Sequence, residues 1–456
     1  MIHRRLTWYS FLPILLVLAL SCSPNPSPRL KIAVFTVNAT PPLGSPVAYA
    51  YTRSIQDSLY AKGIVILSDQ QPIVICAVDW IGIANEGLEV WQNKLAEAAG
   101  TTASRVAIHA LHQHDGVRGD FTTAAVLEQY GLGGWRYDTT FINSTIDRSA
   151  EAIKTAIASA EEVTHIGYGK AKVEKVASNR RILGPDGKVS IIRWSKSTDS
   201  AAIAAPEGLI DPWLKSVSFW RNEEPLVNLN YYTTHPMSHY GKGDVSSDFV
   251  GIARQSREQA LGFPQIYFSG AGGNITAGKY NDGSPERRYV LADRVEKAMK
   301  TAWEKTSKVP VSTTDLDWRA QSVWLPLGKH LIRNDLVDQL ESSATDSLQK
   351  FTAAKHLAWL NWTEAGHSTT ISALHIKDLW LLHLPGELFV EYQLAAQQMK
   401  PDDFVCTAAY GEYGPGYVCT EIAYDQGGYE SSNRASRVSP EVEPVLMQSI
   451  RELLQE

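Results

Sequence analysis

The stretch ALHQHDGV at residues 110–117 closes an apolar run, SRVAI, with two histidines and an aspartate in the pattern H-x-H-D. On an extended chain alternate residues share a face, so His112 and His114 would aim two imidazoles at one point, the spacing a metal site uses. The same residues suit a surface turn in which His and Asp hydrogen-bond the backbone, and the pair alone does not decide. Two further polar clusters stand where apolar runs end. YYTTHPMSHY carries His235 and His239, and LLHLPGELF carries Glu387 after a Pro385-Gly386 turn, where it would open a helix. A carboxylate there has a structural explanation of its own, because an acid in a helix's first turn complements the dipole and caps free amides.

The elements that must position these clusters read as strands alternating with helices. KIAVFTV, PIVICAVDW, RVAIHAL, PLVNLNYYTTH, QIYFSGA, ALHIKDLWLLHL and FVCTAAY are β-rich and largely apolar, as strands covered on both faces are. Between them, Leu291, Val295, Ala298 and Ala302 recur at helical steps with charges opposite, the segment from Phe141 to Glu162 is similar, and PEVEPVLMQSIRELLQE reads as a closing helix. This alternation predicts an α/β, mixed α+β fold, with layered mixed sheets flanked by helices in a single large catalytic domain over residues 29–456. In layered folds of this kind sites are built where strands run out, which is where the three clusters stand.

The 456 residues are 44% apolar and 20% charged, so a sizeable core can be buried. The net charge of −6 is interspersed and contains no basic tract, which argues against nucleic acid as the partner. The amino terminus departs from this average. MIHRR, then FLPILLVLAL, then SCSPNPSP read as a signal peptide too short to span a bilayer as a helix. Ala19-Leu20-Ser21-Cys22 is similar to the lipobox of bacterial lipoproteins, so residues 1–28 are expected to be an export signal and Pro/Ser tether. The protein would then be membrane-anchored through lipidated Cys22 on the periplasmic or outer-membrane face, or otherwise secreted. Of the remaining cysteines, Cys406 and Cys419 flank one loop and could be bridged, while Cys76 reads as a small buried apolar residue.

Taken in order, the clusters resemble the neutral ceramidase family, hydrolases that split the amide of N-acylsphingosine. The resemblance runs through FTVNATPPLG, HQHDG, SNRR, THPMSH, GAGGNITAG, LPGELF and YVCTEIAYDQGGYE, nearly the length of the exported chain. Each piece alone is weak, and seven in order are strong. The family's longer members carry an immunoglobulin-like domain after the catalytic one, and this chain is expected to lack it.

The resemblance implies zinc held by His112, His235, Glu387 and Tyr417. Two imidazoles, a carboxylate and an oxygen donor form a set zinc accepts, with a position left for water in a catalytic site. Tyrosine is the least usual ligand, and Tyr417 also reads as a packed aromatic in a glycine- and tyrosine-rich loop. The resemblance places His114, Arg180 and Tyr429 against the substrate carbonyl, with His114 or His239 supplying a proton to the leaving amine. Asp115 stands where the family has serine and would orient a histidine or simply form a turn. Thr276 replaces the family's active-site serine and Asn274 its preceding acid. The Thr276 hydroxyl would assist the reaction, or belong to a turn or cap. His109, His367, His375 and His383 match no motif and read as structural. The implied activity is zinc-dependent hydrolysis of a ceramide-like N-acyl lipid to sphingosine and fatty acid. The alternatives are an amidase or esterase acting on a smaller N-acyl or O-acyl compound, and a surface lipoprotein that binds zinc without catalysis.

Overall fold

Three sheets, each covered on its outer side by helices, turn their inner faces onto one apolar core. A computed structural model describes residues 1–3, 6–8 and 29–455. Cys22 and most of the expected export signal, residues 4–5 and 9–28, therefore lie outside the described residues. The first sheet has the strand order Val106–Ala110, Ile73–Val78, Tyr60–Leu67, Lys31–Asn38, Glu161–Glu162. The second runs Gln265–Ser269, Glu224–Tyr232, Trp213–Arg221, His165–Lys172, Ser307–Pro310, and the third Leu316–Val323, Thr369–Ile376, Leu379–His383, Phe404–Ala408. Ile64, Ile75, Phe219, Leu229, Phe268, Leu374, Leu381 and Cys406 from all three meet in the shared core. Because side chains alternate across a strand, Phe35, Val65, Val74 and Cys76 face the other way, onto helices Glu86–Ala99 and Thr139–Ala158. The fold is mixed α+β in one compact domain.

Each sheet is mostly antiparallel but ends in one parallel pair: Ile73–Val78 with Val106–Ala110, Glu224–Tyr232 with Gln265–Ser269, and Leu379–His383 with Phe404–Ala408. The carboxyl ends of these pairs are tied together. Ala110 N–H donates to the Tyr410 carbonyl at 3.0 Å, Ala409 N–H to Ser269 O at 2.9 Å, and the Ser269 hydroxyl to Leu111 O at 2.7 Å. The three loops that carry the polar clusters thus leave from one place.

All the apolar runs read as strands are strands, with one division: ALHIKDLWLLHL folds as a hairpin that reverses at Lys377-Asp378, where Lys377 takes a φ of 55°. Two expectations are corrected. Glu387 does not open a helix; it lies in a two-residue strand, Glu387–Leu388, parallel to Tyr417–Val418, and the helix starts at Val390. The helix-dipole explanation for this acid therefore falls. Cys406 and Cys419 are free thiols, because Cys406 points into the core between the sheets while Cys419 packs on the outer face of the third sheet with Leu388 and Tyr392. No helix among the described residues is long and apolar enough to cross a membrane.

Candidate metal centre

His112 follows the Val106–Ala110 strand with a φ of 65°, a left-handed backbone that is uncommon for a residue with a Cβ. Its amide donates to Trp80 O at 2.9 Å and its ring Nδ1 lies 2.7 Å from Ile81 O, while the ring stacks on Tyr410 at 4.4 Å. His235, just beyond Glu224–Tyr232, has its Nδ1 2.6 Å from Gly272 O and 3.0 Å from Ile275 O. A carbonyl can only accept, so both imidazoles carry their proton on Nδ1, and in the neutral ring Nε2 is left with a lone pair. Both Nε2 atoms face Glu387 Oε2, at 3.3 Å from His112 and 3.1 Å from His235.

These groups are 0%, 1% and 5% exposed in the order His112, His235, Glu387. Burial pushes the His235 imidazole below its ordinary value even though Glu387 opposes the shift. Burial alone would raise the Glu387 carboxyl, but His112 and His235 beside it hold it well below the usual carboxylate range. That help requires a positive charge or an N–H on the rings; with both protons on Nδ1, neutral imidazoles instead present two lone pairs to the carboxylate. Such a set repels itself unless a cation lies at its centre, and histidines that donate their other N–H to backbone carbonyls are typical of metal sites. The other Glu387 oxygen, Oε1, accepts from Tyr413 Oη at 2.8 Å.

The remaining residues singled out in the sequence gather around this point to different degrees. His114 is buried, with Nε2 3.2 Å from His112 Nε2 and Nδ1 2.7 Å from Tyr49 Oη. The candidate ligand nitrogens of His112, His114 and His235 lie within 4.8 Å of one another, so these three buried histidines form a group able to hold a metal. A tyrosine hydroxyl can donate as well as accept, so His114, unlike the other two, has no fixed tautomer. Tyr417 brings its hydroxyl to 3.5 Å from His235 Nε2, and Arg180 donates to that hydroxyl at 2.9 Å. Burial holds the Tyr417 phenol well above its ordinary value against the pull of Arg180. Arg180 also pairs with buried Glu430 at 3.2 Å, and Tyr429 meets the Tyr417 ring edge-on at 5.7 Å.

Other candidates are engaged elsewhere. The Thr276 hydroxyl bonds to Trp194 O at 3.3 Å and accepts from Gly278 N–H at 3.2 Å, while its backbone bridges His235. Asn274 accepts from the amide of Val390, the first residue of the helix after Glu387, and donates to Glu391. Asp115 orients no histidine. Its carboxylate takes the Gly241 amide at 2.8 Å and Arg288 at 3.1 Å, tying the loop after the Val106–Ala110 strand to helix Pro285–Glu304. His239 lies against Gly283 O through Nδ1, and Arg288 donates to its carbonyl. His109 bonds Ala409 O and His383, while His367 and His375 stack on Trp362 and Trp380.

Tyr413, Tyr49 and Tyr410 were not singled out in the sequence. The only trace of the first and last is the crowding of aromatics and glycines in AAYGEYGPGY. A cleft of about 130 Å³ has His114, Glu387, Tyr49, Tyr413, Tyr417 and Tyr429 among its lining residues.

The comparison with solved structures identifies this architecture. The structure of neutral ceramidase from Pseudomonas aeruginosa superposes with a TM-score of 0.70 at 18% identity, covering 94% of this chain and 74% of that one. This chain has the fold of the neutral ceramidases. A second structure, a ceramidase complexed with C2, matches with a TM-score of 0.68 at 17% identity, over 94% of this chain and 75% of that one. No family model matches the sequence, and no curated protein sequence matches it. In the neutral ceramidase fold as it stands here, the three strand-end clusters and the Tyr417 loop converge on one buried point.

Proposed function

We propose that this protein is a zinc-dependent amidohydrolase that cleaves the amide bond of an N-acyl compound of the ceramide type, giving a fatty acid and an amine. One observation carries the proposal: Nε2 of His112 and of His235, each with its proton locked on Nδ1, converge with an ionised carboxylate at the wall of a cleft. His112, His235 and Glu387 would hold the ion, with Tyr417 as the fourth ligand, and zinc when bound supplies Lewis acidity to water and to the scissile carbonyl.

The chain's own groups would do the rest. With Tyr49 Oη donating to Nδ1, His114 keeps a proton on Nε2, where it can be donated to the carbonyl oxygen as charge develops there and then to the departing amine. Arg180, held by Glu430, and Tyr429 add donors on the other side. Thr276 would contribute its hydroxyl only by exchanging the Trp194 carbonyl for the substrate. Overall, water's hydroxyl joins the acyl carbon, the C–N bond breaks, and the nitrogen leaves with a proton.

A second reading, hydrolysis of a smaller and more polar N-acyl or O-acyl compound, is favoured by the cleft itself, whose apolar lining is limited to Ala48, Ile81, Leu348, Phe351 and Ala435. Incubating zinc-loaded protein with N-acyl lipids, N-acyl sugars and acyl esters, with and without chelator, separates the readings by the acid released. Absence of chelator-sensitive release from every amide and ester would overturn both. We also propose that Cys22 carries a lipid anchor after export, which the intact mass of the mature amino terminus would test.

A further inference from the structure

The cleft that reaches the candidate ligands is also lined by cations. Arg118, Arg136, Lys355, Arg434 and Arg437 line it, and no carboxylate among the described residues pairs with any of them. Arg437 and Arg118 are only 4% and 8% exposed, and Nε of Arg118, Arg136 and Arg437 is buried with no hydrogen-bond partner. The bonds these groups do make go to neutral acceptors. Arg118 and Arg136 both donate to the Ala48 carbonyl, at 3.3 and 3.4 Å, and Arg437 donates to Gly414 O at 2.6 Å. The guanidiniums of Arg118 and Arg136 and the Lys355 ammonium surround the Phe351 ring, 5.3, 5.5 and 4.8 Å from its centroid.

The nearest acids are committed elsewhere. Asp120 is occupied by Thr123 and Asn85, Glu412 accepts the amides of Asn85 and Gly414, and Glu387 faces the histidines. Burial pushes Asp120 and Glu412 up, the latter to about 7, which weakens them further as counterions. Burial, and then Arg437 and Arg118, push the Lys355 ammonium well below its ordinary value, as expected where positive charge is in excess. Buried cations without counterions are costly, and unmatched guanidinium donors in a cleft are suited to a planar or tetrahedral oxyanion that accepts from two of them at once.

We propose that the substrate carries an anionic group, a carboxylate or a phosphate-type oxyanion, which seats on Arg118, Arg136, Arg437 and Lys355 while its acyl amide lies at the histidines. This rests on the hydrolase reading above and narrows it, because a neutral N-acyl lipid would leave these cations unmatched.

The test uses probes that differ in charge alone: N-dodecanoylglycine against its glycinamide, and O-phosphorylated N-dodecanoylethanolamine against the free alcohol. The two pairs separate a carboxylate from a phosphate source. The charged member of at least one pair should show a kcat/KM roughly tenfold or more above its neutral partner, and Arg136→Gln or Arg118→Gln should collapse that ratio. Equal or better turnover of both neutral members, with a ratio unmoved by these variants, overturns the proposal while leaving the hydrolase reading intact. If no probe is hydrolysed, calorimetric titration of the metal-free protein with inorganic phosphate and with N-dodecanoylglycine still decides the anion site. Binding that Arg437→Lys and Arg136→Gln weaken roughly tenfold supports the site, and no binding of either anion removes it. Circular dichroism of each variant confirms that the fold is retained.

Discussion

A neutral imidazole offers a metal one lone pair, and at His112 and His235 backbone carbonyls decide which one. The consequence is a division of labour that substitution can expose. His112→Ala or Glu387→Gln should release the ion, measured as zinc per chain after dialysis. His114→Ala should retain it and lose roughly 10²–10³ in turnover, the usual cost of one donor at a developing oxyanion. Loss of zinc from His114→Ala to the same extent as from His112→Ala would make His114 a ligand, as its proximity to the other two rings allows. At this scale the gathering of His112, His114, His235 and Glu387 was legible in part: each follows an apolar run in the sequence, while a role for each came only from the family resemblance. Tyr49 and Tyr413 were not, since a tyrosine in a loop has no spacing that distinguishes a hydrogen-bond donor from a packed ring. Arg118, Arg136, Lys355, Arg434 and Arg437 escaped for a related reason. They are single charges on separate segments, and only the fold makes them a cluster.

Among elements, the parallel pair at the end of each sheet does the positioning, and the chain turns between them are too close for side chains. A Cβ at Gly273 would lie 2.2 Å from the Glu387 carbonyl oxygen, and one at Gly272 would lie 2.9 Å from Tyr410 Oη. Neither glycine has a positive φ, so the GAGGN run is needed for close approach and not for a left-handed turn. Gly273→Ala should therefore cost about 1–3 kcal/mol in urea unfolding and weaken metal retention, because the backbone that must move carries Glu387. The strands that end at the site were legible from apolar runs, whereas His165–Lys172, Trp213–Arg221 and Leu316–Val323, each broken by charged or small residues, were not. Nor was Tyr60–Leu67, because Lys62 and Gly63 interrupt it. The structure pairs that lysine with Glu258 and lays the Phe35 ring over the glycine, neither of which a local pattern can reveal. Glu387 was misplaced onto a helix for the converse reason: an acid after Pro-Gly satisfies the local rule for a helix start, and a two-residue ladder with a segment thirty positions away overrides it.

At the scale of the whole molecule, a metal held by residues from all three sheets should stabilise the folded state. Removing it with a chelator should lower the melting temperature, since an ion at a thousandfold its Kd contributes about 4 kcal/mol by mass action. Stability should also depend on pH through groups away from the cleft. Burial depresses the His109 imidazole from the ordinary 6.5 to about 4, so the unfolded chain binds a proton that the folded chain refuses. That contribution is complete above about 6.5 and is lost as pH falls toward 4, amounting to about 2 kcal/mol between pH 7 and pH 5. Urea midpoints at the two pH values should differ more in the wild type than in His109→Gln, and equal differences would exclude the assignment. The convergence of three strand ends also sets an order of events. More than two thirds of the described chain lies between Ala110 and Tyr417, so the segments that meet there close some of the longest loops among the described residues and are slow to find each other. Each sheet has its own helices to pack against and can condense earlier. Capture of the ion therefore marks the completion of folding: during refolding, tryptophan burial should recover before metal uptake does, and a chain stalled one sheet short would look largely native while remaining unable to take up metal.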